Sequence, residues 1–566
     1  MSAGDAVQCD VLVVGSGAGG LSAAVTAGKF GLNVIVVEKE HLFGGTTAIS
    51  AGGMWIPCNP VSERAGFKDS IEEARTYIRS ETGTNYDSDR VEAYLKSGPE
   101  MIAFFEREFG FEFSIWAYLP DYHPDVPGAA KGGRPLSAAP IDARGLMPWI
   151  NNLRPPLVET TVFGGLPIRF DSFEMKYFIS ATRSLPSAWY VARRLFRYLR
   201  DRAVHGRNML MVNGGALSTR LAKAAVEIGI PIWLSSPAYR LIMEGSRVAG
   251  AVVRKDGRDL RIMARRGVVL ATGGFPHDVE RRRRLYAHAA GEGQHFPLAP
   301  PGNTGDGLRF AEAVGGTIDD RFESAAALFT ASRNPLPNGQ SRTVPNSSDR
   351  AKPGAIAVTP DGRRFTNESN SYHDVTAALV KQFPRNEAAH AYVICDHRAV
   401  RRYGLGIAKP FPLPLRSYLR SGYIVRENTV EALARRLGIE VTALTETVDA
   451  FNANARLGAD PEFGRGTNIY HRSQGDPEHQ PNPSLAPLDS PPFYAVQIVP
   501  SDLGTFAGLK TDSNARVLDR NGQMIEGLYA VGNDMGSVFG GTYLAGGCTL
   551  GPAMTFGYIA GRHLAD

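Results

Sequence analysis

Cysteine is scarce. The 566 residues contain four, Cys9, Cys58, Cys395 and Cys548, scattered with no CxxC pair. Such spacing suggests neither a zinc site nor a disulfide framework, no metal is expected, and a reducing cytoplasm fits. Long apolar runs are missing as well: no stretch of 18 or more apolar residues could span a bilayer. The first ten residues lack the basic and apolar regions of a secretion signal. Excess charge of one sign is also small, since 62 Lys and Arg against 57 Asp and Glu leave a net +5. Nucleic acid is therefore not expected as a partner.

What is present is a globular composition, 43% hydrophobic and 21% charged, long enough for two or three domains at roughly 100 to 200 residues each. Glycine is in excess, at 62 residues. The glycines cluster where a backbone must turn tightly or approach a ligand. Cys9 to Val14 reads as a buried parallel strand, Gly15-Ser16-Gly17-Ala18-Gly19-Gly20 follows, and Leu21 to Phe30 reads as a helix. A second apolar strand, Asn33 to Val37, ends in Glu38, 18 residues past Gly20. Strand, GxGxxG, helix, strand and acid in this order predict a dinucleotide whose pyrophosphate sits on the helix N-terminus and whose ribose meets the acid.

Directly after the acid and Lys39, the run Gly44 to Gly53 offers small hydroxyl and backbone donors: Gly45, Thr46, Thr47, Ser50, Gly52 and Gly53. That arrangement suits a flavin. Later, Gly267 to Phe275 is another strand ending in a glycine turn at Ala271, Thr272 and Gly273, and Asn303-Thr304-Gly305-Asp306-Gly307 opens a helix. Gly527 to Asp534 delivers Gly532 and Asn533, while Gly547 and Leu550 lead into a closing helix whose N-terminus suits negative charge on a flavin. Ala238 completes the expected cofactor contacts.

On these motifs the sequence resembles the flavoprotein family of soluble fumarate reductases and 3-ketosteroid dehydrogenases, along most of the chain. The resemblance implies an α/β fold with a Rossmann-like split FAD-binding domain, residues 1–316 and 491–566. A smaller inserted α+β substrate domain is expected at 317–490. Arg364-Phe365-Thr366-Asn367-Glu368 and Pro492 to Val496 are similar to this family. No histidine for covalent attachment stands between Gly44 and Gly53, so non-covalent FAD is expected.

Fumarate and succinate enzymes place a clamp arginine in a loop similar to Gly540 to Gly547. Here Tyr543 stands instead, and a phenol beside backbone amides suits a neutral ketone rather than a carboxylate. Asp121-Tyr122-His123-Pro124, Phe463 to Gly466, Asn482-Pro483 and Asp502 to Thr505 resemble 3-ketosteroid Δ1-dehydrogenase. This resemblance implies 1,2-dehydrogenation of a 3-ketosteroid. Tyr543 and Gly547 would hold the ketone, Tyr372 would act as a tyrosinate base, and Tyr118 or Tyr122 would be its neighbouring hydroxyl. The hydride would go to flavin N5, and electrons would leave to a quinone or an artificial acceptor. Between Tyr543 and Gly547 the family's loop reads Pro-Gly-Pro, where this chain has Leu544, Ala545 and Gly546. A Δ4-(5α) dehydrogenase, or a reductase of unsaturated acids, stays open at this point. His123 reads as a loop hydrogen-bonding residue, and Arg281 to Arg284 as a solvated helix face.

Between Phe163 and Arg207 lies a basic, aromatic insertion. At 100° per residue, Trp189, Ala192, Leu195, Phe196, Leu199 and Ala203 share one face of a helix, with Arg193, Arg194, Arg197 and Arg200 on another. An ordinary packed helix and an oligomer contact are two readings. Peripheral contact with the anionic inner face of the membrane through Phe170 to Arg202 is a third.

Overall fold

The computed structural model describes residues 6–170, 174–182, 184–289, 291–346 and 349–566. Its first sheet runs in the order Ile232–Trp233, Val34–Val37, Val7–Val14, Arg258–Leu270, Arg247–Lys255, Ala238–Glu244. The strands at its heart are parallel, with Val11 to Val14 paired to Val34 to Val37 on one side and Gly267 to Leu270 on the other. Both faces of these strands are covered, which is why they read as unbroken apolar runs rather than alternating ones. Met524–Ala530 adds in parallel to Arg258–Leu270, so the end of the chain returns to the sheet where it began.

The helix Ala18–Lys29 follows the first strand and packs against the closing helix Leu550–Ala565. Their backbones approach so closely that a Cβ on Gly557 would fall 2.5 Å from the Gly19 carbonyl oxygen. Small residues at this crossing fix the N-terminus of the first helix at the C-terminal edge of the sheet. That edge is where ligands bind in open α/β folds.

The second sheet is antiparallel, in the order Ser341–Pro345, Ala326–Pro335, Phe493–Thr505, Ala391–Cys395, Ala355–Val358. It takes its long strand Phe493–Thr505 from beyond Ser490. The helix Tyr372–Val380 lies against Ala326–Pro335. The turn leading to it is held by buried charges: Arg364 spans Glu368 at 2.7 Å and Asp460 at 2.8 Å, and Arg465 reaches Glu368 at 3.1 Å. The Arg364 to Glu368 motif therefore anchors the segment that delivers Tyr372. Four opposite and like charges satisfied together in an interior are costly to break singly.

Two surface expectations change. Arg281 and Arg282 are buried, with Arg281 bridging Glu312 at 2.7 Å, so half of that basic run faces inward. The insertion forms the helix Leu185–His205, but it packs through Ser187, Arg194, Tyr198 and Asp201. Arg194 joins Glu174 at 2.8 Å, Leu195 is half-buried, and Leu185, Trp189, Phe196 and Leu199 face outward. The basic residues thus do not form one solvated face opposite a packed apolar one. Positions 171–173 and 183 of this segment lie outside the described residues.

Candidate functional site

A cavity of about 1370 Å³ lies between the C-terminal edge of the first sheet and the second sheet with its Tyr372–Val380 helix. One end is the glycine cradle. Gly15 takes φ +111°, and a Cβ there would fall 2.2 Å from the Ala271 carbonyl oxygen, so only glycine lets the first turn close on the neighbouring strand. Gly15, Gly17, Ala18 and Gly19 line the cavity, while Gly20 stands behind them against the Gly15 carbonyl. Glu38 reaches back across the cradle, its carboxylate accepting from the Ser16 hydroxyl at 2.6 Å and the Ser16 amide at 3.1 Å.

The other expected segments converge on the same space. Gly45, Thr46, Thr47, Ser50, Gly52 and Gly53 line it, as do Ala238, Ala271, Thr272 and Gly273. Gly532, Asn533, Gly547 and Leu550 close it from the C-terminal part. Asn303 ties three segments together, its amide donating to Thr46 Oγ1 at 3.2 Å and to the Gly273 carbonyl at 3.0 Å. Lys39 and Asp306 meet at 2.5 Å on the cavity edge, and Gly305 caps the helix behind them without lining it. Asp534, which sequence reasoning passed over, is fully buried and accepts from the Thr272 and Gly274 amides at 2.6 and 2.9 Å. Burial pushes its pKa up to about 6, against the pull of those amide hydrogen bonds.

This end fits FAD. The glycines leave a channel that side chains would fill, the free end of the Ala18–Lys29 helix faces it, and Glu38 stands where a ribose hydroxyl could replace Ser16.

At the other end, four phenols gather. The Tyr122 hydroxyl lies 3.1 Å from that of Tyr372. The ring of Tyr543 is 5.1 Å from Tyr372 and 5.9 Å from Tyr122. Tyr470, unmarked by any sequence motif, packs 4.8 Å from Tyr122. Tyr372 is the first residue of its helix, capped by Ser371, and Phe329 of the neighbouring strand meets its ring at 4.5 Å. Tyr118 stays on the rim with 74% of its surface exposed, so Tyr122 rather than Tyr118 is the neighbouring hydroxyl. Gly547 lines the cavity beside Tyr543, and its carbonyl holds the Trp55 amide at 3.1 Å.

Burial pushes the pKa of Tyr372 well above that of a free phenol, and the neighbouring Tyr122 and Tyr543 add to the rise. Burial likewise raises Tyr543 and Tyr122. All three therefore rest as neutral hydroxyls near pH 7, able to donate hydrogen bonds.

An FAD binding domain family matches residues 10–550. The chain is 42% identical over 560 residues to a 4-oxocyclohex-2-ene-1-carboxylate 5-dehydrogenase of Sinomonas cyclohexanicum, covering 99% of this chain and 94% of that one. It is 36% identical over 570 residues to a 3-oxosteroid 1-dehydrogenase of Mycobacterium tuberculosis, covering 99% and 98%. A crystal structure of 3-ketosteroid Δ1-dehydrogenase from Sterolibacterium denitrificans, in complex with 1,4-androstadiene-3,17-dione, superposes with a TM-score of 0.90 at 36% identity, covering 99% of each chain. The cradle, the phenol cluster and these likenesses agree: the chain belongs to the FAD-binding flavoprotein family that contains the 3-oxosteroid 1-dehydrogenases, an oxidoreductase of CH–CH bonds with FAD as its cofactor.

Proposed function

We propose that the protein dehydrogenates a 3-ketosteroid between C1 and C2. The observation that carries this is the set of phenols, Tyr122, Tyr372 and Tyr543, facing one cavity that is continuous with the FAD cradle. Tyr543 O–H and the Gly547 amide donate to the C3 carbonyl oxygen, which acidifies the hydrogens on C2. Tyr372 acts in its ionised form, having given its own proton to solvent: the phenolate oxygen takes the C2 proton, and the Tyr122 hydroxyl steadies that phenolate by donating to it. FAD, bound non-covalently in the cradle, supplies the acceptor for the C1 hydride. The C1=C2 double bond forms from the electron pair of the broken C2–H bond.

A second reading comes from the Sinomonas relative, whose name describes loss of hydrogen beside the ketone of a six-membered ring carrying a carboxylate. The chemistry is the same and the substrate smaller. The cavity lining includes the apolar Trp116, Leu119, Phe329, Pro345 and Pro477, and the buried Arg350, whose charge acts on Tyr122 and Tyr470, is not among the described lining residues. That favours the neutral steroid ring.

The test is anaerobic. Addition of 4-androstene-3,17-dione bleaches the visible flavin band and yields the 1,4-diene. Bleaching by 4-oxocyclohex-2-ene-1-carboxylate alone assigns the smaller ring, and bleaching only by a saturated 3-ketosteroid, with a 4-ene product, assigns Δ4-(5α) dehydrogenation.

We further propose that residues 317–490, with the strand they share from 493–505, form the substrate lobe, and that the Phe170 to Arg202 segment rests on an anionic membrane face. Supporting the latter are the outward Leu185, Trp189, Phe196 and Leu199, with Arg193, Arg197 and Arg200 beside them. A quinone dissolved in that membrane is the electron acceptor of this reading. Among the described residues no helix is long and apolar enough to cross a membrane.

A further inference from the structure

The proposed base and its neighbour belong to different parts of the chain. Tyr122 sits on a loop of the FAD lobe, and Tyr372 starts a helix of the second lobe. Their hydroxyls meet only if the two lobes are held in register.

The loop is fixed on its own side. Asp121 is fully buried and accepts from Arg134 Nη1 at 2.7 Å, Trp55 Nε1 at 2.8 Å and the Ala130 amide at 2.8 Å. The Tyr122 amide donates to the Leu544 carbonyl at 2.9 Å. The His123 amide donates to the Tyr77 hydroxyl at 3.3 Å, which itself donates to the same Leu544 carbonyl at 2.8 Å.

The next side chain crosses between the lobes. His123 Nδ1 lies 2.7 Å from Glu81 Oε2, on a helix of the FAD lobe, and Nε2 lies 2.9 Å from Asp374 Oδ2, in the first turn of the Tyr372 helix. An ionised carboxylate only accepts. Both ring nitrogens must then donate, which requires the imidazolium. Asp374 is in turn fixed to the cap of its helix, its Oδ2 accepting from the Ser371 hydroxyl at 2.7 Å and its amide donating to Ser371 Oγ at 3.2 Å.

We infer that His123 is a positioning residue: its imidazolium clamps Glu81 of one lobe to Asp374 of the other, and so sets the distance between the Tyr122 and Tyr372 hydroxyls. Charge-assisted bonds of this kind are about twice as strong as neutral ones. They bear on the first turn of the helix, where any displacement moves Tyr372 directly. A reacting group misplaced by about 1 Å can cost on the order of 10²-fold in rate. The role rests on the ketosteroid reading above, because it is the proton-abstracting pair that is being positioned.

The holoenzyme tests it. In His123→Gln the amide offers a donor to one carboxylate and an acceptor to the other, so one arm of the clamp opens. Expected are a fall of about 10- to 100-fold in the rate of flavin reduction by 4-androstene-3,17-dione, unchanged FAD content, and steroid affinity, read from the flavin spectrum, within about twofold. Asp374→Asn, which weakens the other arm, gives a fall in the same rate. A reduction rate equal to wild type overturns the inference. So does a fall matched by equal loss of steroid or FAD binding, which marks a merely structural residue. Independently of turnover, the ring nitrogen spectrum of wild type near pH 8 shows one histidine signal with both nitrogens protonated, absent in His123→Gln; a neutral ring overturns the clamp. If no cyclic ketone bleaches the wild-type flavin, the ketosteroid reading fails and the positioning role with it, while the ring spectrum still decides whether the ion clamp exists.

Discussion

Tyr122 and Tyr372, 250 positions apart in sequence, place their hydroxyls 3.1 Å from each other across the boundary of two lobes. The first prediction concerns this phenol to phenol hydrogen bond. Tyr372→Phe removes the base and lowers the rate of flavin reduction by about 10²- to 10⁴-fold. Tyr122→Phe removes one hydrogen bond, a loss of about tenfold. Single-turnover mixing with the steroid measures both, and equal losses would contradict the assignment of base and neighbour.

Tyr543, buried to 3% exposure, is the carbonyl donor of the proposed reaction. Tyr543→Phe keeps the ring contacts with Tyr372 and Phe506 and removes only the hydroxyl. The expected loss in the rate of flavin reduction is about 10²- to 10³-fold, as for other carbonyl-stabilising donors. Unchanged turnover would move the donor role elsewhere.

The rate of flavin reduction by the steroid is expected to rise with pH. Burial holds Tyr372 well above the free phenol value, so its ionised fraction grows about tenfold per unit of pH through the neutral and alkaline range. His123 sets a second dependence. Burial alone would lower its pKa, but the hydrogen bonds to Asp374 and Glu81 outweigh this and push it up to about 10. A group raised in the folded state stabilises fully below its unfolded pKa, about 6.5 for histidine, and loses that contribution as pH climbs through the folded value. The difference in Tm between wild type and His123→Gln should therefore be largest near pH 6 and vanish above about 10. A difference that grows with pH would contradict the sign.

Glu38→Ala loosens FAD. A hydrogen bond to a charged group contributes about 1.5 to 3 kcal/mol, so FAD affinity should fall by roughly 10- to 100-fold. Ultrafiltration of the holoenzyme followed by flavin absorbance reads this directly.

Trp189→Glu with Phe196→Glu places two charges on the outward stripe of the Leu185–His205 helix, where the side chains are 73% and 70% exposed. Sedimentation with anionic vesicles should be lost while anaerobic flavin reduction by the steroid stays at the wild-type rate. Vesicle binding that survives both changes would remove the membrane reading.

The cofactor end was legible in the sequence because its signals are local. Strand, glycine turn and helix follow one another within Cys9 to Phe30, and each remaining segment is marked by its own glycines. Only Gly20 and Gly305 of the expected contacts stand behind the cavity wall, where Gly20 packs on the Gly15 backbone and Gly305 caps a helix. The basic insertion shows the opposite case. Periodicity found the helix but left open whether its apolar stripe faces the core, a membrane or a second copy of the chain. The inward side is instead set by the Arg194 to Glu174 ion pair and by Tyr198 packing under Gly165, long-range contacts that no period records.

Sequence alone thus determined the first strand, glycine turn and helix of the cradle and the acid that follows, since each depends on residues adjacent in the chain. Tertiary structure decided the rest. It chose Tyr122 over Tyr118, brought in Tyr470, and set His123 between Glu81 and Asp374, because those meetings depend on how two lobes pack together, and packing joins residues that the chain keeps far apart.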